Sequence, residues 1–164
     1  MSAIKISNLQ YVWPESDTPI IDIPALEIEL RGSVFLQGAS GSGKSTLLSL
    51  LAGTLKASSG TLQILGTDLT SLSSRRRDRF RAEHIGIVFQ QFNLIPFLTV
   101  EGNLKLASRF VNQSASGTEV RAKQLLESLR LDSAILERRA DRLSVGQQQR
   151  VANARAFINQ PEIL

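Results

Sequence analysis

The chain has 164 residues, 42% hydrophobic and 21% charged, with 19 basic against 15 acidic side chains for a formal net charge of +4. That is one domain's length at ordinary globular composition, enough to bury a sizeable core. With no cysteine there is neither a disulfide framework nor a thiolate metal site, and no stretch reads as a secretory signal or a membrane span, which fits a cytoplasmic protein.

From Ile4 to Val12 apolar residues alternate (Ile4, Ile6, then Leu9 and Tyr11), predicting a half-buried strand. Pro14 to Pro19 is rich in turn formers and reads as a loop. Ile21 to Leu30 predicts a second strand with Leu26, Ile28 and Leu30 on one face. Arg31-Gly32 then turns into a short β-prone run, Ser33 to Gln37. These antiparallel strands feed the next stretch, Gly38-Ala39-Ser40-Gly41-Ser42-Gly43-Lys44-Ser45-Thr46, which fits G-x-x-x-x-G-K-[ST].

That pattern carries chemistry. Gly38, Gly41 and Gly43 let the backbone turn tightly and bring its N–H groups to phosphate oxygens. A helix opening near Lys44 adds unpaired first-turn donors and the positive end of its dipole. Lys44 supplies a mobile charge for β- and γ-phosphates, and the Ser45 hydroxyl is placed to ligate Mg²⁺. Leu47, Leu50, Leu51 and Leu55 fall on one face of the helix that should follow.

Thr61 to Leu65 reads as a further strand after the break at Ser58-Ser59-Gly60. Ser71 to Ala82 reads as a solvent-facing helix bearing Arg75, Arg76, Arg77, Arg79 and Arg81. That run is read as the solvated face of a short helix, so no nucleic-acid partner is expected. Ile85 to Phe89 is a continuous apolar run, the kind found in a parallel strand covered on both faces. It ends at Gln90-Gln91, at the carboxyl end where open α/β sheets bind ligands.

Thr99 to Phe110 and Thr118 to Leu129 look helical, the second with Ala122, Leu125, Leu126 and Leu129 as its buried stripe. Glu119 and Lys123 are spaced for an i,i+4 ion pair, and Asn112 to Gly117 reads as a polar loop between the helices. Leu143 to Arg150 opens another helix, where Ser144 and Gln147 have capping-box spacing. Val151, Ala154, Arg155 and Ile158 recur along one face. A well-capped helix and an anion site at its first turn are both open readings.

Three separated stretches match one family in order: Gly38 to Thr46, Val88 to Pro96, and Leu143 to Arg150. The chain resembles the ATP-binding subunit of ABC transporters, with its Walker A loop, Q-loop and signature motif respectively. Within that family it looks most like the lipoprotein-releasing and macrolide-exporting ATPases. The resemblance implies an α/β fold of the P-loop NTPase class, with a small antiparallel β subdomain, a mostly parallel core sheet and a helical subdomain. Residues 1–98 and 142–164 would form the ATP-binding core and 99–141 the helical subdomain.

It also implies roles. Trp13 would stack on adenine, with Tyr11 as the fallback, and Gln90 would reach Mg²⁺ and the attacking water. Ser144, Gly146 and Gln147 would bind the γ-phosphate of ATP held by the other subunit of a head-to-tail dimer, either a homodimer or a paired ATPase. Integral membrane permease subunits would place the protein on the inner face of the cell membrane. Val145 stands where the family usually has glycine. The family's Walker B Asp, catalytic Glu and switch His lie past the position of Leu164, so the C-terminal part of the core is expected to be missing. We therefore expect ATP binding without turnover by these residues alone. The single histidine, His84, is expected at the surface. Two other functions fit the motifs: a non-catalytic regulator, or a soluble ABC ATPase acting on nucleic acid or ribosomes.

Overall fold

The computed structural model describes residues 2–111 and 115–164. The chain divides into two compact units, Met1–Asp78 and Arg79–Leu164. The first is built on a four-stranded antiparallel sheet in the order β2-β1-β3-β4, comprising β1 (Ser2–Tyr11), β2 (Ile21–Glu29), β3 (Ser59–Ile64) and β4 (Thr67–Asp68). Ile4, Ile6, Leu9 and Tyr11 of the central strand are buried. Their phase slips from even to odd positions, and the backbone slips with it. Asn8 takes a left-handed φ of 47°, and the register against β3 shifts between Ser7 and Gln10. An extra residue of this kind is what keeps both halves of such a strand facing one core. Pro24 lies on the edge strand β2, where a missing ladder donor is tolerated.

Helix α1 (Lys44–Leu51) follows the phosphate-type loop, as expected. It stops before Leu55, so Leu55 does not continue the helical face. Gly53 at φ 69° donates to Leu50 O at 2.9 Å, and Thr54 N–H reaches back to Ser49 O at 2.9 Å. This is the paired bonding by which a glycine in the left-handed region closes a helix.

Ser33 to Gln37 also departs from expectation, forming no strand. A strand exists only through a partner's backbone, and this run has none among the described residues. Val34 and Phe35 stay exposed.

Helix α2 (Ser74–His84) has residues in both units and buries Phe80 alone, consistent with a solvated basic face. The second unit is mainly helical: α3 (Val100–Ser108), α4 (Ala115–Ser128) and α5 (Val145–Phe157), with short 3₁₀ turns at Ser133–Glu137 and Ala140–Arg142. Its core joins Val100 and Leu104 to Ala122, Leu125 and Leu126 and to Val151, Ala154 and Ile158, with Leu129 packed alongside. The stripes read from the sequence are thus the ones that meet. Glu119 pairs with Lys123 at 2.9 Å, which lowers the carboxyl's pKa and raises the amine's. Of the polar loop expected over Asn112 to Gly117, residues 112–114 lie outside the described residues and the rest belongs to α4.

The parallel sheet expected at Ile85 to Phe89 is reduced, among the described residues, to one parallel bridge, Ile85↔Ile163. Gly86 N–H donates to Ile163 O at 2.8 Å and Ile163 N–H to His84 O at 3.1 Å. With a single paired residue on each side, no ladder propagates. His84 is half-exposed and its Nδ1 lies 3.1 Å from Glu162 Oε2, as a surface role requires.

Leu126 is fully buried where α4 meets the rest of this core. Leu126→Ala should cost about 2–5 kcal/mol of stability in urea unfolding followed by circular dichroism, the usual range for a buried leucine left as a cavity.

Candidate functional site

In the first unit, the Gly38–Thr46 loop hands the chain directly into α1. Gly43 is the residue before the helix and sits at φ 84°. A side chain there would come within 2.9 Å of Ile21 Cδ1 and 3.0 Å of Ile20 O, so both conformation and space demand glycine. The first backbone bond of α1 runs from Leu47 N–H to Gly43 O at 2.8 Å. The N–H groups of Lys44, Ser45 and Thr46 therefore have no partner within the helix, and no side chain caps them. Converging donors at the positive end of a helix favour an anion.

Lys44 turns back across this loop. Its ammonium donates to Gly38 O at 2.8 Å and Ala39 O at 2.6 Å, with Ser42 Oγ at 3.4 Å. The loop is tied by its own cation, with Ser42 N–H donating to Ala39 O at 3.3 Å. Ser40 and Ser45 are exposed and Thr46 is half-buried beside them.

Trp13 stands at the same end of the β1–β2 hairpin. Tyr11 pairs with Ile21 across the hairpin, and Ile21 borders Gly43. Trp13 packs edge-on against Tyr11 with ring centroids 5.0 Å apart and planes at 86°. Tyr11 is buried and Trp13 is 45% exposed, so Trp13 is the ring with a face to offer. Trp13 is also the ring that the resemblance puts first, with Tyr11 as the fallback.

In the second unit, Gln90 and Gln91 form an exposed turn followed by two left-handed residues, Phe92 (φ 57°) and Asn93 (φ 49°). Each costs about 1–3 kcal/mol unless its surroundings enforce it. Arg155 of α5 does so, donating to both carbonyls through one guanidinium. Asn103, 1% exposed, accepts from Ile95 N–H at 2.7 Å and donates to Ile95 O at 3.1 Å.

Helix α5 begins with the capping box that the sequence predicts. Ser144 Oγ accepts from Gln147 N–H at 3.3 Å, and Gln147 Oε1 accepts from Ser144 N–H at 3.0 Å. Val145 is 70% exposed, and a side chain on Gly146 would meet nothing closer than Arg150 Nη2 at 3.9 Å.

Comparison with known proteins decides the family. The family described as ABC transporter matches residues 22–164. The chain belongs to the ABC transporter family.

The uncharacterized ABC transporter ATP-binding protein Rv0986 of Mycobacterium tuberculosis is 41% identical over 164 residues, 98% of this chain and 65% of that protein. The macrolide export ATP-binding/permease protein MacB of Shigella flexneri is 33% identical over 163 residues, 98% of this chain and 25% of that protein. The ATP-binding cassette MJ0796, solved as a dimer bound to ADP and Pi, superposes with a TM-score of 0.84 at 34% identity, over 96% of this chain and 70% of that one. The expected ABC-type P-loop fold is therefore the fold found. This ABC transporter chain spans just under two thirds of the length of the first curated relative it matches.

Arg155 and Asn103 hold the segment after Gln90 and were not among the residues that the motifs singled out. Arg155 carried a signal, since a charged residue fell on the buried stripe between Ala154 and Ile158. Asn103 carried a fainter one, beside Leu104 on the inner face of α3.

The capping box and the open space at Gly146 predict opposite outcomes for neighbouring substitutions. Ser144→Ala should lower stability by about 0.5–2 kcal/mol. Gly146→Ala should leave it unchanged or raise it by up to about 1 kcal/mol. Thermal denaturation of the two variants side by side checks both.

Proposed function

We propose that this chain is the ATP-binding part of an ABC transporter motor, coupling nucleotide to substrate movement by membrane-spanning permease subunits. The observation that carries the reading is the array of unpartnered N–H groups at the start of α1, closed by Gly43 on one side and Lys44 on the other. It fits a triphosphate. Gly38, Ala39, Ser40, Gly41, Ser42 and Gly43 offer backbone to the phosphates, Lys44 exchanges its carbonyl acceptors for β- and γ-oxygens, and Thr46 lies at the first turn. Trp13 offers its exposed face to adenine.

Among the described residues no group of three or more His, Asp or Glu side chains could hold a metal. Mg²⁺ is proposed to arrive with the phosphates, held additionally by the Ser45 hydroxyl and the Gln90 amide, as the resemblance implies. It would neutralise charge on the phosphate oxygens. Turnover is not proposed for these 164 residues by themselves.

Ser144, Gly146 and Gln147 are proposed to meet the ATP of a second cassette, as a homodimer or with a paired subunit. Glycine at 146 is required neither by backbone conformation nor by space within this chain, which supports close approach by something from outside it. The dimer of MJ0796 supports pairing of cassettes in general. No helix among the described residues is long and apolar enough to cross a membrane. From the family, a permease partner is proposed to hold the protein at the inner face of the cell membrane. MacB is by its name an ATP-binding/permease protein, which supports partnering with a permease in general.

Fluorescent ATP should bind, and Lys44→Ala should weaken binding about tenfold or more, the scale of one charge-assisted hydrogen bond. Equal binding by both proteins refutes the phosphate-loop assignment. In the same preparation, phosphate release should not exceed background. Gly146→Ala should reduce ATP-dependent dimer formation in sedimentation velocity while leaving nucleotide binding by the monomer intact.

A further inference from the structure

The segment from Gln90 to Leu98 is pinned by side chains from two different helices. From α5, the guanidinium of Arg155 gives one terminal nitrogen to Asn93 O and the other to Phe92 O, the second at 2.7 Å. From α3, the buried Asn103 holds both backbone groups of Ile95 and donates to Thr99 O at 3.0 Å. Phe92 and Asn93 are consecutive left-handed residues, at φ 57° and 49°. A bulky phenylalanine does not adopt that conformation unaided. A planar fork with two parallel donors suits two adjacent carbonyls, and a single ammonium cannot reproduce it.

We infer that Arg155 is a positioning residue: from the helix opened by Ser144, it fixes the Phe92–Asn93 bend and thereby the place of Gln90, with Asn103 as the second anchor. The inference deepens the proposed reading of Gln90 as a Mg²⁺-facing group and rests on that reading for its functional consequence. Burial lowers the pKa of Arg155, and the hydrogen bonds it makes among the described residues go to two backbone carbonyls. The last turn of α5 and the bend after Gln90 are then linked through the Arg155 side chain.

Two measurements on the full chain test this. In hydrogen exchange read by mass spectrometry, Arg155→Ala should speed exchange over residues 90–95 about tenfold or more, since two charge-assisted hydrogen bonds are lost. Exchange over 145–152 should be unchanged. Arg155→Lys should lie nearer to alanine than to the parent. Unchanged exchange at 90–95 overturns the inference, as does an equal rise in both segments, which is what general loss of packing gives.

The second measurement is the gain in fluorescent-ATP affinity on adding Mg²⁺. Gln90→Ala and Arg155→Ala should each reduce that gain several-fold without changing Mg²⁺-free affinity. The double variant should be no worse than either alone, whereas additive losses overturn the link. If Gln90→Ala keeps the full gain, the reading of Gln90 fails on its own, and the exchange data still decide the clamp. Should Arg155→Ala not fold, Arg155→Lys carries both measurements.

Discussion

Side chains of helix α5 donate to backbone carbonyls of the turns and helix ends around it, and these bonds tie the second unit together. Gln148 donates to Ala140 O at 3.3 Å and Leu143 O at 3.2 Å. Arg150 reaches Arg130 O at 3.3 Å and Leu129 O at 3.5 Å, just past the end of α4. Arg155 holds the bend after Gln90, and Asn159, two residues past the end of the helix, donates to Ala82 O and Ala107 O, both at 3.0 Å. A helix leaves its last carbonyls unpaired, and turns add more. One helix answering several of them explains why α5 has a weakly apolar face yet lies at the centre of the unit. Its few buried residues, Val151, Ala152, Ala154 and Ala156, are small enough to let long polar side chains pass between neighbours.

The two units use glycine and charge differently. In the first, the loop before α1 is shaped by positions where a side chain has no room, and its cation is a flexible lysine that can change partners. In the second, the bend after Gln90 is made from residues that resist its conformation and is enforced by an arginine fork. A flexible ammonium suits a site that must open to a ligand. A rigid guanidinium suits one that must hold a side chain in place.

Much of this was legible in the sequence because it is local. The capping box needs only Ser144 and Gln147 in register, and the core stripes of α4 and α5 need only helical periodicity. Even the slip in β1 shows in the spacing of Ile6 and Leu9. Ser33 to Gln37 and Ile85 to Phe89 failed as strands because composition reports a residue's suitability for a strand and not the presence of a partner. Leu55 failed because Gly53 closes α1 first. The Arg155 clamp was hidden for another reason: its acceptors are main-chain carbonyls 62 and 63 residues away, and carbonyls leave no mark in the sequence.

The ammonium of Lys44, already engaged by Gly38 O and Ala39 O, makes the loop a competitor for its own cation. An incoming anion must outbid two carbonyls before it gains that charge. A lone inorganic phosphate has little else to offer, whereas a chain of phosphates also engages the free amides of α1 and so shifts the exchange in its favour. On the proposed reading, such a loop would favour a chain of phosphates over a single one.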